Sequence, residues 1–318
     1  MGSVKEVEII KNPSEKTEGE GEFRFSDRYS VFDWGEMPDL IPDKGAALCV
    51  LSSHFFELLE QNGIKTHFLG LVEQGSPKKL NDLNKSSNIM RVRLVRVIKP
   101  PYDEKSNSYD YSAYTAKQNN FLIPLEVIYR NRLTAGSSVF KRIQNGSVTY
   151  RELGLEREPA VDKVLNPPLL DVSTKLEHTD RYLLWDEAEK ISGLSAGDMK
   201  KVKEMIVFIN SLISGECAKA GIENVDGKFE FGVDSSGSIM VVDVLGTPDE
   251  CRFLYDGFHI SKEITRRWYR KTPWYEEVES AKKEKGKGWK DGVNPPPKLP
   301  AEMKTLVSQM YICLLYTS

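Results

Sequence analysis

Asp226-Gly-Lys-Phe-Glu-Phe-Gly-Val-Asp-Ser-Ser-Gly-Ser-Ile-Met-Val-Val-Asp-Val-Leu245 is the stretch on which the fold turns. Two alternating segments, 228–234 and 239–245, flank Ser236-Gly237, so the spacing predicts a β-hairpin. A loop centred on that pair sets Ser235 opposite Ser238 and Glu230 opposite Asp243. Phe229, Phe231, Val233, Met240, Val242 and Val244 then share a core face, and Lys228, Glu230 and Asp243 share the other. Carboxylates facing each other across a sheet repel. A cation between them reverses the sign, and oxygen donors of this kind suit Mg²⁺ held against phosphates better than a transition metal. The competing reading is a solvated face on which Lys228 screens both acids.

Working outward, Leu125-Glu-Val-Ile-Tyr-Arg130 alternates as well, with Glu126 and Arg130 on one face and Leu125, Val127 and Tyr129 on the other. Arg130 ends that strand just before Ala135-Gly-Ser137, where a short helix over 139–143 begins. An Arg, a Ser hydroxyl and a helix N-terminus together suit a phosphate, against the alternative of a turn with a surface Arg. Helices are predicted over 43–63, with Gly63 as the stop, and over 195–220, with Ser195 and Asp198 at its start. Further strands are expected over 66–72 and 89–98, the second bulged or half-exposed because Arg91, Arg93 and Arg96 interrupt it. Helical patterns cover 261–270 and 274–285. The Tyr-, Pro- and Asn-rich stretch 99–120 reads as a surface loop or lobe boundary, and 166–186 as an ordered loop. No βαβ alternation or internal repeat is seen, which points to an α+β fold in two lobes, 1–120 and 121–318.

The chain has 318 residues, enough for two lobes, with 44 Lys and Arg against 47 Asp and Glu, a formal charge of −3. That balance gives no basic field for holding nucleic acid. No apolar run has the length of a membrane span, and no signal peptide opens the sequence. Cys49, Cys217, Cys251 and Cys313 are dispersed and His is scarce, so disulfide frameworks and zinc sites are disfavoured and the expected setting is the cytoplasm. Cys217 and Cys251 have no neighbouring His to make them nucleophiles, and His54 and His67 read as core or supporting residues. No Walker or GxGxxG spacing is present.

Taken together, several ordered segments resemble the SAICAR synthetase (phosphoribosylaminoimidazole-succinocarboxamide synthase) family. They are Asp27-Arg-Tyr-Ser-Val-Phe-Asp33, Ile41-Pro-Asp-Lys-Gly45, Ile64-Lys-Thr-His67, Pro124-Leu-Glu-Val-Ile-Tyr-Arg-Asn131 with Ala135-Gly-Ser137, Ser173-Thr-Lys175 with Glu177 and Asp180, Asp226-Gly-Lys-Phe-Glu-Phe-Gly232, and Thr247-Pro-Asp249 with Arg252. The resemblance implies a two-lobed α+β fold with an ATP cleft between the lobes. It also implies a ligase of purine biosynthesis that uses ATP and Mg²⁺ to join L-aspartate to carboxyaminoimidazole ribotide (CAIR), through an acyl phosphate.

By position, the resemblance assigns Glu230 and Asp243 to Mg²⁺, with Glu177 as a further ligand, and Lys228 to the ATP phosphates. Gly2, Ser3 and Lys5 would form the loop over the triphosphate. Arg130, Ser137 and Arg252 would hold the ribotide, with Asp249 orienting Arg252. Lys175 would act on the substrate side. The partners implied are small molecules, with a homo-oligomer left open.

The chain departs from the family pattern at Val244, where many members have Glu, at Ser3, where many have Lys, and in the length of 99–120. Its start within the phosphate loop suggests a missing first strand. The apolar segment 310–318 suggests a read-through, the alternative being a helix docked on the core. A phosphotransferase and a non-catalytic nucleotide-binding relative are the competing functions.

Overall fold

The structure, a computed structural model, describes residues 4–285 and 288–316. Two antiparallel sheets carry an α+β fold. The first joins β1 (Lys5–Lys11), β2 (Gly19–Phe25), β3 (Phe68–Glu73), β4 (Ser76–Lys78) and β5 (Ile89–Leu94) in the order β1-β2-β5-β3-β4. Helix α1 (Lys44–Gln61) lies against it. Leu48, Leu51, Phe55 and Leu59 recur every three or four residues and are all buried. The helix stops because Gly63, at φ +75°, turns the chain left-handed. Its N–H then reaches the Glu60 carbonyl at 3.0 Å, and the Ile64 N–H reaches Leu59 at 2.9 Å, a Schellman closure.

A small hairpin, β6 (Tyr102–Asp103) with β7 (Ser108–Tyr109), stands in the expected loop 99–120. The second sheet contains β8 (Phe121–Leu133), β9 (Lys163–Thr174), β10 (Tyr182–Leu183), β11 (Ile222–Val233), β12 (Ile239–Val242), β13 (Cys251–Tyr255) and β14 (Phe258–His259). Its order is β10-β9-β8-β11-β13-β14, with β12 also on β11. The helices are α2 (Ser138–Gln144), α3 (Trp185–Ser192), α4 (Ala196–Lys219), α5 (Glu263–Tyr269), α6 (Pro273–Lys285) and α7 (Ala301–Tyr316). In α4 the Ser195 hydroxyl accepts from the Asp198 N–H at 3.1 Å, and Met199, Val202, Ile206, Ile209 and Ile213 form the buried stripe.

Two sequence expectations are corrected. The hairpin exists, but Glu230 pairs with Val242, not Asp243. Asp234 Oδ1 accepts from the N–H groups of Ser236 and Ser238, both at 2.8 Å, and the Asp234 N–H reaches the Ser238 carbonyl. This closes a three-residue loop with Gly237 at φ +85°, which shifts the register by one. Phe231 therefore faces with Val241, and Glu230 with Val242. The alternation hid this because β12 is buried on both faces, with Met240, Val241 and Val242 all inside.

The expected loop 166–186 begins as strand β9. Arg130 pairs with Leu169 and Arg132 with Val164, so Pro167 and Pro168 sit in a bulge where no ladder donor is needed. Residues 310–316 belong to α7, which packs on α1 with Met310, Tyr311 and Leu314 buried.

Backbone bonds tie the sheets together. The Val241 N–H donates to the Lys65 carbonyl and the His67 N–H to the Val241 carbonyl, each at 3.0 Å. One continuous apolar core runs beneath both sheets, from Phe23 and Phe56 to Phe229 and Val241.

Candidate active site

β8 lies between β9 and β11, so Glu126 stands beside Ser173 on one side and Glu230 on the other. Two like charges at one rung need countercharge. Lys175 Nζ, just past β9, lies 2.9 Å from Glu126 Oε1 and 2.5 Å from Glu230 Oε1. Lys228 Nζ is also 2.9 Å from Glu126 Oε1 and 3.4 Å from Glu250 Oε2. Asp243 leaves β12 in a left-handed conformation, φ +69°, and is paired by Lys5 from β1. Glu230 and Asp243 still interact despite the changed register. Burial, then the Asp243 charge, raises the Glu230 pKa. Burial resists ionisation of Asp243 too, but Lys5 and Lys175 outweigh it and hold that carboxyl below the usual range. Burial likewise opposes the charge on Lys175, but Glu230, Glu126 and Asp243 outweigh it and raise its pKa. His67 packs under Asp243 with Nε2 3.1 Å from its carbonyl oxygen. Burial pushes its pKa down to about 3, so it is a neutral support and not a base.

The second group is built from arginines. Arg130 places Nη2 3.0 Å and Nε 3.3 Å from Asp171 Oδ2, and the same oxygen lies 2.5 Å from Arg142 Nη2. The Arg142 guanidinium stacks 4.0 Å over the Tyr182 ring. Arg252 is gripped by Asp226, with Nε 2.8 Å from Oδ1 and Nη2 against Oδ2, and also donates to Thr134 Oγ1 at 3.1 Å. Between the two groups lies a cavity of about 290 Å³, into which Glu126, Lys228, Arg130, Ser138, Arg252 and Lys262 all open. Gly227 forms part of its wall, where a Cβ would come within 2.7 Å of Cys251 Sγ and closer still to Tyr129.

Several assigned residues stand elsewhere than expected. Ser137 caps α2, its hydroxyl accepting from Val139 N–H at 3.4 Å and from Arg130 Nη1 at 3.5 Å, while Ser138, with Ser173 and Tyr182, lines the cavity. Asp249 does not orient Arg252. Its carboxylate accepts from Lys44 Nζ at 2.7 Å and Tyr311 Oη at 2.6 Å, and Asp226 holds Arg252 instead. Lys228 pairs with Glu126 and Glu250 and does not screen Glu230 and Asp243, which fall to Lys175 and Lys5. Glu177 accepts from Tyr111 Oη at 2.9 Å and from Arg181, apart from the Glu230–Asp243 pair. Gly2 and Ser3 lie outside the described residues. Among the described residues no three acidic, imidazole or thiolate groups form a ready metal shell. Cys217 and Cys251 are buried, and burial raises both thiols, Cys217 to about 12.

Residues not singled out from the sequence are as informative. Asp171 and Asp226 lie on strands beside β8, and only the pairing Arg130↔Asp226 and the neighbouring rung Ile128↔Asp171 reveal them. Lys262, at the start of α5, opens into this cavity and into a second one of about 220 Å³.

The family model described as SAICAR synthetase matches residues 14–281. A protein of Archaeoglobus fulgidus, provisionally named a phosphoribosylaminoimidazole-succinocarboxamide synthase, is 48% identical over 311 residues, covering 98% of this chain and 91% of its own. A solved structure described as SAICAR synthetase (Type-2) in complex with ADP superposes with a TM-score of 0.60 at 24% identity, covering 94% of this chain and 99% of that one. The SAICAR synthase of Saccharomyces cerevisiae complexed with SAICAR gives 0.64 at 23% identity, covering 98% and 94%. At these identities the superpositions establish a shared fold.

Proposed function

The chain belongs to the SAICAR synthetase family, and from that premise we propose that it is an ATP-dependent ligase of purine biosynthesis joining L-aspartate to CAIR. A carboxylate does not acylate an amine unaided. One CAIR carboxylate oxygen attacks the γ-phosphorus of ATP, the bond to the β,γ-bridging oxygen breaks, and ADP leaves. The deprotonated α-amine of aspartate then attacks the acyl carbon. The new C–N bond forms, the acyl C–O bond to phosphate breaks, inorganic phosphate departs and the nitrogen gives up a proton. Such a reaction needs alignment and charge neutralisation more than covalent help from the protein.

The observation that carries this reading is the single cavity running from Glu126 and Lys228 to Arg130 and Arg252. It joins a phosphoryl-transfer chemistry at one end to a rigid anion clamp at the other. Lys5, Lys175 and Lys228, each now spent on a carboxylate, are placed to turn to the triphosphate. Arg130, Arg252 and Ser138 take the ribotide phosphate, as five fixed N–H donors per arginine suit its oxygens. The donor set fits a divalent cation, because Glu230, buried, and Asp243, half-buried, are hard oxygens whose charges lysines offset. Glu230 and Asp243 would hold Mg²⁺, which when bound supplies neutralisation of the transferring phosphoryl charge. Support comes also from relatives of the same fold that carry ADP and SAICAR. The proposal includes a nucleotide lobe over 1–120, a substrate lobe over 121–318 and a cytosolic setting. No described helix is long and apolar enough to cross a membrane.

ADP release with Mg-ATP tests it, run with CAIR and L-aspartate together and with each omitted. Release that requires both, with matching SAICAR formation, is the expected result. Release with CAIR alone would favour a phosphotransferase, and SAICAR absent under all conditions would reject the ligase.

A further inference from the structure

The second cavity is walled in part by a segment beyond the stretch matched by the family model, which ends at residue 281. Tyr311, on α7, is buried, and its hydroxyl donates to Asp249 Oδ1 at 2.6 Å. The other oxygen of Asp249 accepts from Lys44 Nζ at 2.7 Å, and that ammonium lies 5.2 Å over the Tyr311 ring. α1, the turn after β12 and α7 thus meet at one carboxylate. α7 is pinned there, with Ser308 Oγ donating to the Pro42 carbonyl at 2.8 Å.

What this arrangement leaves free is as telling. Among the described residues Lys262 makes no ion pair, although Asp249 and Glu250 carry charges close enough to act on it. Lys262 and Arg266 border both cavities, and Ser30 and Thr265 add hydroxyls to the second. Asp33, Asp249 and Glu250 line the same cavity, so Lys262 and Arg266 suit the two carboxylates of a compact amino diacid, Asp33 and Glu250 suit its ammonium, and the shared wall sets that amine toward the larger site.

We propose that Tyr311 is a positioning residue for the amine co-substrate: with Lys44 it occupies both oxygens of Asp249, which keeps that carboxylate from capturing Lys262 and leaves the ammonium available to a dicarboxylic amino acid. The inference rests on the ligase reading above. Without the Tyr311 hydroxyl, Asp249 Oδ1 loses its donor and turns to Lys262, so the cavity loses its anion acceptor while the fold stays in place.

Calorimetric titration of succinate into the full chain tests this, because succinate has both carboxylates and lacks the amine. Tyr311→Phe is expected to weaken succinate about tenfold and to raise the KM for L-aspartate by a similar factor. Mg-ADP binding and the KM for CAIR should stay within twofold. Lys262→Gln is expected to abolish succinate binding, and Tyr311→Phe added to it should cost nothing more. Unchanged succinate affinity in Tyr311→Phe, weakening of all ligands in step with a lowered Tm, or no succinate binding by the wild type would each overturn the proposal. A wild type that binds succinate but forms no SAICAR would instead reject the ligase and leave the cavity assignment standing.

Discussion

The two charged groups at the ends of the larger cavity are built on opposite principles. At one end, Lys175 lies between Glu126 and Glu230, Lys228 between Glu126 and Glu250, and Lys5 against Asp243. Lysine is a compact charge on a flexible stem, so these pairs can be traded for phosphates without moving the backbone. At the other end, Arg130, Arg142 and Arg252 are held by Asp171 and Asp226 through planar, multi-donor contacts with both acids buried. Nothing there can turn without stranding a buried charge. The difference teaches which end changes during turnover. On the function proposed above, the lysine end would release its carboxylates to phosphates and a cation, and the arginine end would hold the ribotide still.

Substitutions should divide along this line. The largest effect belongs to Glu230→Gln and Asp243→Asn, expected to lower kcat by about a thousandfold or more, as loss of preorganised phosphoryl stabilisation does, with the Tm by thermal melting unchanged or higher for Glu230→Gln and lower for Asp243→Asn, which leaves Lys5 unpaired. Wild-type turnover in either would break the contrast at its mobile end. Next comes Asp171→Asn, which leaves Arg130 and Arg142 without their shared carboxylate and should cost about 3–5 kcal/mol of stability, read from urea unfolding. A loss of activity without a loss of stability would show that the arginine end is not the rigid one.

The third expectation concerns pH. Burial, then Asp243, raises the Glu230 pKa in the native chain, whereas in the unfolded chain it returns to about 4.3. The native state therefore binds a proton that the unfolded state has released, and stability falls as pH rises from about 4.3 toward the native value. Without metal, the Tm of Glu230→Gln should gain on the wild type across that window, and Mg²⁺ affinity of the wild type should strengthen over the same range. Parallel Tm profiles would remove Glu230 from the mobile group. The smallest effect is expected of Tyr111→Phe, which takes one hydrogen bond from Glu177, two residues beyond Lys175. A stability loss of about 1 kcal/mol and a change in kcat below threefold would sharpen the picture of a lysine loop braced from the 99–120 segment.

Much of this was legible in the sequence, and the misses have local causes. Leu125-Glu-Val-Ile-Tyr-Arg130 showed its two faces correctly, because β8 buries Leu125, Val127 and Tyr129 on one side and lines the site with the other. The α1 stripe and its Gly63 stop were readable for the same reason, since local periodicity and a local cap decide them. The hairpin register was missed because Asp234 builds an Asx-type loop that counting from Ser236-Gly237 cannot foresee. The strand character of 163–174 was hidden by Pro167 and Pro168, whose bulge is visible only once β8 is its neighbour. Glu126, Asp171 and Asp226 could not be ranked as partners of Lys228 or Arg130, because pairing across a sheet is non-local information. The same holds for Tyr311, which reaches Asp249 from α7, across 62 residues of sequence.

The stitch between the sheets carries one further consequence. Val241 is bonded through both its N–H and its carbonyl to the Lys65–His67 backbone, directly beside Asp243. A crevice sewn shut along one margin gapes along the other, so on the proposed function the nucleotide product would leave away from that seam. Amide hydrogen exchange would register this as two neighbouring tempos, with His67 and Val241 staying silent through repeated catalytic cycles while the strand bearing Lys5 flickers.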